Sequence, residues 1–277
     1  MKLINGFDLM KFAKRTGHIL PAFNTTNLEM TYAIANGLNA VRLPGYIQIS
    51  SNNLRLSDAK IIADISREAV QNLETPIGLH LDHGKSFEDV KACIDAGFTS
   101  IMIDASRLPY EENIQEVRRT AEYCHFYGVP VEAELGKIGG KEDTAVDEAD
   151  AKTDPGMVAE FVKKTQCDVL AVSVGNVHGL EAVPHIDLPL LKKISEISTV
   201  PLVLHGGSGI PFDIIRQARE YNLIKVNFGA DLRKEFIQTF GRAYTENHGA
   251  HDVISLSLKA VENVSGKVQE LVQAINA

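Results

Sequence analysis

The sequence predicts an α/β protein of the (β/α)8 (TIM barrel) class, with additional helices at the N- and C-termini. Three observations predict this fold: eight short apolar runs, segments of helical periodicity between them, and polar residues or glycine where the runs end. Eight strand–helix alternations within about 250 residues fit a closed barrel better than an open doubly wound sheet. No linker, low-complexity tract or long charge run interrupts the chain, so we expect a single domain over residues 1–277.

The predicted strands are rich in residues that suit a strand buried on both faces. In chain order they span residues 18–24, 45–50, 76–83, 100–106, 130–136, 169–175, 201–207 and 224–229. The second run is the least typical of the eight, because Pro44 and Gly45 begin it and a polar stretch follows it.

The segments between the strands have the apolar spacing of amphipathic helices. A Ser-x-x-Asp capping box at Ser86 begins one of them, Gly128 ends another, and Pro155 stands at the first turn of a third. Two helices outside the barrel are predicted at residues 7–14 and at about 253–275.

The composition limits the classes of function. The net charge is −8, and there is no basic stripe or RNA-binding aromatic motif, so nucleic acid is not an expected partner. No apolar stretch approaches the ~20 residues that cross a bilayer, and the N-terminus lacks the apolar segment of a signal peptide. We therefore expect a cytoplasmic protein that does not contact a membrane. Cys93, Cys124 and Cys167 never form a CxxC pair, which predicts reduced, packed thiols.

Polar side chains stand at the carboxyl end of every predicted strand, where the chemistry of such a barrel takes place. They are Asn24, Ser50, Asp82, His83, Asp104, Glu132, Glu134, His178, His205 and Asn227. A lone histidine in an apolar segment is usually a core residue, but three at one barrel mouth suit a catalytic Zn²⁺ or a similar divalent ion. His80 lies deeper in its strand and is expected to be a core residue or a supporting one.

Asp82 and His83 are neighbours in the sequence, which raises a geometric difficulty. Adjacent side chains of a regular strand point to opposite faces, yet both are expected at the barrel mouth. The strand must therefore break into its loop at His83. Asp82 could be a metal ligand, a residue that orients a ligand, or a proton carrier. The assignment of His83 as the ligand leaves Asp82 as the general acid/base.

Three glycine-containing turns predict an anion site beside these histidines. They are GNVHG, ending at Gly179, HGGSG at residues 205–209, and NFGAD at residues 227–231. Glycine lets backbone N–H groups approach an oxyanion, and a helix N-terminus favours negative charge. A phosphate site after the seventh and eighth strands is common in this barrel, so a combined metal and phosphate site is predicted.

Eight stretches of the sequence, taken together, match a known family: PAFNTTNLE, HLDHG, SIMIDASRLPYEEN, VEAELGKIGGKED, KTDP, GNVHG, LHGGSGIP and KVNFGADL. In this order they resemble the metal-dependent class II aldolases, the family of fructose-bisphosphate and tagatose-bisphosphate aldolases. The resemblance covers essentially the whole barrel and is strongest over residues 78–210. It implies reversible cleavage of a ketose 1,6-bisphosphate to dihydroxyacetone phosphate and an aldehyde such as glyceraldehyde 3-phosphate.

The resemblance also implies a role for each matching residue. His83, His178 and His205 would bind the catalytic ion, usually zinc. Asp104 and Glu134 would hold a second or displaced divalent ion, and the family also accommodates a monovalent cation. Asp82 would exchange the proton of the hydroxyl, and Glu142 would move the C–H proton of the dihydroxyacetone phosphate half. That half and its phosphate would contact Asn24, Ser50, Gly179, Gly206, Gly207, Ser208, Asn227, Phe228, Gly229 and Ala230.

Several stretches depart from the family's pattern. Residues 51–54 and 180–186 are unusual and are expected to be loops that reach the other half of the substrate. Ala230 stands where the family usually offers a threonine to the phosphate, and the C-terminal segment lacks a common Asp-Pro-Arg run. These departures leave the aldehyde and the strength of phosphate binding open. Residues 135–154, rich in glycine and charge, suit a lid.

Three other functions fit the sequence less well. A Schiff-base aldolase would need a lysine at the barrel mouth, whereas Lys225 lies near the start of its strand. A metal-dependent hydrolase would carry paired histidines on its first strand. A sugar-phosphate sensor without activity would have lost Asp82 or Glu142, and both are present. A homodimer or homotetramer is the expected assembly.

Overall fold

Eight parallel strands close into a barrel in the computed structural model of the protein. The strands of the chain are β1 (Leu20–Asn24), β2 (Gly45–Ser50), β3 (Ile77–Gly84), β4 (Ser100–Ile103), β5 (Val131–Leu135), β6 (Gly140–Glu142), β7 (Ala145–Asp147), β8 (Val169–Val172), β9 (Leu202–Leu204) and β10 (Leu223–Phe228). Around the barrel they follow the order β1-β10-β9-β8-β5-β4-β3-β2, and β6 and β7 form a separate antiparallel pair. The predicted (β/α)8 barrel is confirmed.

The structure describes residues 2–142, 145–147, 151–181, 183–249 and 251–277, without the side chains at 141, 142 and 145–147. The carboxylate of Glu142 therefore lies outside the described part of the chain, as does much of the predicted lid. Among the described residues, no helix combines the length and the apolar composition that a bilayer crossing requires.

Helices follow or precede each barrel strand, and those at the chain ends lie outside the alternation. They are α1 (Gly6–Thr16), α2 (Leu28–Val41), α3 (Ser51–Ser57), α4 (Ala59–Val70), α5 (Phe87–Asp95), α6 (Tyr110–Phe126), α7 (Pro155–Thr165), α8 (Leu188–Ile197), α9 (Phe212–Ala218), α10 (Ala230–Glu246) and α11 (Val253–Asn276). A short 3-10 turn, Arg219–Tyr221, follows α9.

The helix starts predicted at Ser86 and Pro155 are confirmed. The hydroxyl of Ser86 accepts a hydrogen bond from the backbone N–H of Asp89 and so caps α5. Pro155 opens α7 behind the capping carboxylate of Asp154. The two helices predicted outside the barrel are confirmed as α1 and α11.

The least typical predicted strand is confirmed, but the segment after it differs from the prediction. All six residues of β2 are buried. Residues 51–54, which we expected to form a loop, begin helix α3, because the Ser50 hydroxyl accepts from the backbone N–H of Asn53 as an N-cap. Serine at this position favours a helix start even before a polar stretch.

The core has two layers, one between strands and helices and one inside the barrel. The side chains of Leu9 and Met10 from α1 pack with Leu20 and Tyr46, so α1 closes the end of the barrel opposite the predicted site. The three cysteines are unpaired and buried in the outer layer, as predicted. Burial raises the pKa of Cys124 and Cys167 to about 12, which keeps both thiols protonated.

Candidate active site

The three predicted metal-binding histidines meet at the carboxyl end of the barrel. His83 is the last residue but one of β3, His178 lies in the loop after β8, and His205 directly follows β9. One ring nitrogen from each lies within 4.8 Å of the others. Residues far apart in the sequence therefore form one cluster.

Hydrogen bonds fix which nitrogen of His83 and His205 carries the proton. His83 Nδ1 donates to Asp104 Oδ2 over 2.8 Å, and His205 Nε2 donates to Glu132 Oε1 over 2.7 Å. Each ring therefore turns its other nitrogen, and a lone pair, toward the cluster. These two nitrogens, His83 Nε2 and His205 Nδ1, lie 2.7 Å apart.

The third ring supplies another lone pair. His178 Nε2 is buried and has no hydrogen-bond partner among the described residues. Burial, with His83 and His205 beside it, lowers the pKa of His178 to about 3, so this ring is neutral at pH 7. Burial also holds the pKa of His205 well below its usual value. Neutral imidazole nitrogens facing one another without protons between them fit a divalent cation such as Zn²⁺.

A second group of possible ligands shares His83 with the first. It adds Asp104 and Glu134, whose carboxylate oxygens lie within 4.8 Å of each other and of a His83 nitrogen. Burial alone would raise the pKa of Asp104, but hydrogen bonds with His83 and Ser106 hold it well below its usual range. Asp104 is therefore an ionised carboxylate that can orient His83 or bind a cation itself.

A β-bulge resolves the difficulty that Asp82 and His83 presented. Leu81 pairs with Ile101 and Gly84 with Ile103, so two residues of β3 stand opposite one residue of β4. His83 takes the left-handed conformation, with φ 47°, and the Ser51 hydroxyl donates to its carbonyl oxygen over 2.9 Å. The predicted break of the strand into its loop at His83 is wrong, because β3 continues to Gly84; the bulge instead brings both side chains to the mouth.

Three amide side chains hold the carboxylate of Asp82. Asn24 and Gln48 donate to Oδ2 over 2.8 and 3.2 Å, and Asn227 donates to Oδ1 over 3.0 Å. Oδ1 lies 4.0 Å from His83 Nε2. Burial by itself would raise the pKa of Asp82, but the charges of its neighbours and the Asn24 amide lower it. Asp82 is thus an oriented carboxylate next to the nitrogens of the histidine cluster.

Below the histidines lies a buried ion pair that sequence reasoning missed. Lys225 Nζ donates to Glu132 Oε2 over 2.7 Å, and the other oxygen of Glu132 accepts from His205. Lys225 also donates to His80 Nε2 over 3.2 Å, and burial and this charge hold the pKa of His80 well below its usual value. His80 is a core residue, as expected. Lys225 is 3% exposed, so it is not open to a substrate carbonyl.

The predicted phosphate-binding residues line a narrow cavity beside Asp82 and His178. Its walls include Asn24, Gly179, Gly206, Ser208, Asn227, Gly229 and Ala230. Gly206 has φ 63°, and a Cβ there would lie 2.0 Å from the carbonyl oxygen of Val177. No other residue fits that position, because the backbone turns sharply between the His205 ring and the cavity.

Three other predicted residues take different places. Ser50 is buried, pairs in register with Asp82 and caps α3. The backbone N–H of Gly207 donates to Asn227 O over 2.8 Å and so ties two of the glycine turns together. The Phe228 side chain stacks on Phe23 in the core, with 5.7 Å between ring centroids, and Phe228 is not among the residues that line the cavity.

A second, larger cavity of about 400 Å³ also borders His178. Its walls include the metal-site residues His83, Asp104 and Glu134 together with Asn52, Lys85 and Arg107. The two cavities share His178, so a substrate at the histidine cluster could extend into both.

A parallel (β/α)8 barrel with a histidine cluster, an adjacent buried carboxylate and a glycine-lined cavity at its mouth fits the class II aldolases, which are carbon–carbon lyases. The comparisons with known proteins agree. The family described as class-II fructose-bisphosphate aldolase matches residues 5–277, and the chain belongs to this family. The family is generally zinc-dependent and acts on phosphorylated sugars.

Curated relatives match over nearly the whole chain. The fructose-bisphosphate aldolase of Geobacillus stearothermophilus is 36% identical over 278 residues, covering 98% of this chain and 97% of that protein. The fructose-bisphosphate aldolase of Staphylococcus epidermidis is 34% identical over 280 residues, with the same coverage.

Solved structures show the same fold. The YdjI aldolase of Escherichia coli K12 superposes with a TM-score of 0.86 at 27% identity, over 99% of this chain and 97% of that one. A putative fructose-1,6-biphosphate aldolase from Coccidioides immitis gives a TM-score of 0.88 at 28% identity, over 98% and 96%.

Proposed function

We propose that the protein catalyses the reversible, metal-dependent cleavage of a ketose 1,6-bisphosphate of the fructose or tagatose type. The products are dihydroxyacetone phosphate and an aldehyde such as glyceraldehyde 3-phosphate. The observation that carries this proposal is the cluster of three imidazole rings whose nitrogens lie within 4.8 Å of one another, with the buried carboxylate of Asp82 4.0 Å from His83 Nε2.

His83, His178 and His205 hold the catalytic ion in this proposal, and Zn²⁺ is the ion that three neutral imidazoles suit best. When bound, the ion supplies a Lewis acid that polarises the ketone and offsets the negative charge that develops on its oxygen. Asp104 and Glu134 are proposed to serve a second or displaced divalent ion, because both face His83.

Asp82 removes the proton from the C4 hydroxyl as the C3–C4 bond breaks, and the electron pair of that bond passes to the dihydroxyacetone phosphate half. Asn24, Gln48 and Asn227 donate to Asp82 and keep one carboxylate rotamer aimed at that hydroxyl. Glu142 then delivers a proton to C3. In the direction of synthesis, each residue acts in reverse.

The two cavities suggest how the substrate is divided. The glycine-lined cavity takes the dihydroxyacetone phosphate half, since Gly179, Gly206 and Ser208 offer close backbone approach and a hydroxyl. The 400 Å³ cavity is proposed for the aldehyde half. Its lining includes Asn52, within a stretch that departs from the family's pattern, so fructose 1,6-bisphosphate is expected to react slowly compared with another ketose phosphate.

Proton exchange tests the first half of the reaction. Zinc-loaded protein in D2O should exchange the C–H proton of dihydroxyacetone phosphate without any aldehyde, as followed by NMR. A chelator should abolish the exchange and zinc should restore it. Absence of exchange in metal-replete protein would refute the proposed function.

Borohydride separates this mechanism from a Schiff-base aldolase. Reduction in the presence of substrate should leave the protein active, because Lys225 is buried and paired with Glu132. A lysine adduct found by mass spectrometry would replace the metal mechanism with an imine.

A panel of aldehydes, condensed with dihydroxyacetone phosphate and analysed for product stereochemistry, identifies the second substrate. A sugar-phosphate sensor without activity would bind the ketone phosphate and release no product from any of them. The homo-oligomeric assembly and the cytoplasmic location stay predictions.

A further inference from the structure

The backbone of His83 bonds to side chains, although His83 belongs to a strand. Its N–H donates to Met102 Sδ over 3.4 Å, and its carbonyl oxygen accepts from the Ser51 hydroxyl over 2.9 Å. A β-bulge takes its extra residue out of the regular ladder, so the backbone groups there need other partners. The Ser51 hydroxyl makes the stronger of these two contacts, because a thioether sulfur is a weak acceptor.

The contact between Ser51 and His83 is buried and supports an unfavourable conformation. Ser51 is 8% exposed and His83 is 5% exposed. With φ at 47°, His83 lies in the left-handed region, which disfavours residues that have a Cβ. Loss of the hydroxyl would take a donor from a carbonyl that water hardly reaches. The conformation of His83 therefore depends on the contacts that fix it.

The Ser51 hydroxyl is held in place by both a strand and a helix. The pairing of β2 with β3 continues to Ser50 opposite Asp82, so the next residues along the chain, Ser51 and His83, lie side by side. The Ser50 hydroxyl caps α3, and the helix therefore begins at the residue that meets His83. A donor on such elements keeps its position better than one on a loop.

A second hydrogen bond joins the same two segments. Lys85, two residues after His83, donates from Nζ to Asn52 Oδ1 over 3.0 Å, and Asn52 directly follows Ser51. Lys85 is exposed, so water competes for this bond, whereas the bond from Ser51 is shielded from solvent. The first turn of α3 is thus joined to the end of β3 at two points, and the buried one is at His83.

The histidine cluster needs a fixed backbone at His83. Its Nδ1 donates to Asp104, its Nε2 faces His205, and a single peptide group joins it to Asp82. A change in the backbone dihedral angles of His83 would displace the ring and the Asp82 carboxylate relative to each other. Functional groups must be held to within about 0.5 Å, and contacts that orient metal ligands change metal affinity by about 10- to 100-fold.

We propose that Ser51 is a positioning residue of the active site: its hydroxyl holds the left-handed backbone of His83 and so sets the metal affinity of the histidine cluster and the placement of Asp82. This inference rests on the proposed function, in which His83 binds the ion. Ser51 lines neither of the two cavities that border His178, so it acts through His83.

The zinc affinity of Ser51→Ala tests this role. Competition with a chromophoric chelator gives the Kd, and the visible spectrum of Co²⁺-loaded protein reports the coordination geometry. For Ser51→Ala we expect the Kd for zinc to rise by roughly 10-fold and the Co²⁺ spectrum to change. With zinc saturating, kcat for cleavage should fall while KM changes little, because Asp82 moves with His83 and the glycine-lined cavity is untouched.

Matched variants separate the hydroxyl of Ser51 from the stability of the fold. Ser51→Thr keeps the donor and should bind zinc as wild type does. Ser57→Ala removes, from the same helix, a hydroxyl that donates to Asn53 O over 3.3 Å, and it should leave the Kd for zinc unchanged. A purely structural role of Ser51 would lower the urea midpoint of Ser51→Ala without changing the Kd, because the native state would still dominate.

The outcomes distinguish this inference from the proposed function. If wild type binds zinc and Ser51→Ala has the same Kd and the same Co²⁺ spectrum, Ser51 does not position His83 and the aldolase proposal stands. If wild type binds no zinc, the proposed function itself fails. If Ser51→Ala does not fold, Ser51→Thr and Ser51→Val make the same comparison, since they share a shape and differ in the hydroxyl. Equal zinc affinity in those two would overturn the inference.

Discussion

Replacing Lys225 by methionine would test the buried ion pair beneath the histidine cluster. The Lys225 and Glu132 side chains are 4% and 1% exposed, and 2.7 Å separates their charged atoms. Methionine fills similar space without charge. The Glu132 carboxylate would therefore stay buried, with His205 as its remaining strong hydrogen-bond partner. Removal of one member of a buried pair costs about 3–5 kcal/mol, a large share of the ~5–15 kcal/mol that stabilises a typical domain.

Urea denaturation measures this cost directly, as a lower midpoint with an unchanged m-value. The double variant Lys225→Met/Glu132→Gln should recover much of the loss, because the uncompensated charge is gone. Ser100→Ala is the control: it removes the hydroxyl that bonds His80 Nδ1 at 2.8 Å and leaves the ion pair intact. A loss below about 1 kcal/mol in Lys225→Met, the range of exposed pairs, would mean that the pair does not stabilise the barrel.

Other predictions concern the metal, the base and the thiols. His178→Ala should lose bound metal by elemental analysis while His185→Ala retains it; equal loss in both would mean that the site has been misplaced. Asp82→Asn should keep its metal and lower the cleavage rate by ~10²-fold or more, and an intact rate would exclude Asp82 from proton transfer. The three cysteines should resist a thiol reagent at pH 8 until the chain is unfolded, because their raised pKa leaves almost no thiolate. Rapid labelling of the native protein would contradict that burial.

The barrel and the histidine cluster were predictable because both follow from local patterns. Apolar runs determine the strands, and parallel strands bring their carboxyl ends to one mouth, so His178 and His205 had to approach each other. The adjacency of Asp82 and His83 predicted that β3 breaks into its loop at His83, whereas the strand continues to Gly84. The bulge that the structure has instead, with His83 in the left-handed region, depends on the pairing with β4 and has no local signal.

The supporting residues were harder to predict, because their roles arise from contacts between distant parts of the chain. Glu132 was seen as a polar strand end, but nothing local showed that it would accept from both His205 and Lys225. Lys225 lies near the start of its strand, so the sequence did not indicate that its side chain reaches Glu132 inside the barrel. Arg233 resembles an ordinary cation of a surface helix in the sequence, and only the structure shows that it lines the glycine-lined cavity beside Gly229.

A single peptide group joins Asp82 to His83, so a metal-binding nitrogen and the neighbouring carboxylate cannot move independently. A displacement at either residue is transmitted to the other through backbone that already stores strain of about 1–3 kcal/mol in the unusual φ of His83. The residues that line the two cavities lie on separate elements, such as Asn52 on α3 and Ala230 at the start of α10. Evolution can therefore change the substrate that such a barrel accepts by replacing one cavity residue at a time. The distance between the His83 ring and the Asp82 carboxylate stays constant meanwhile.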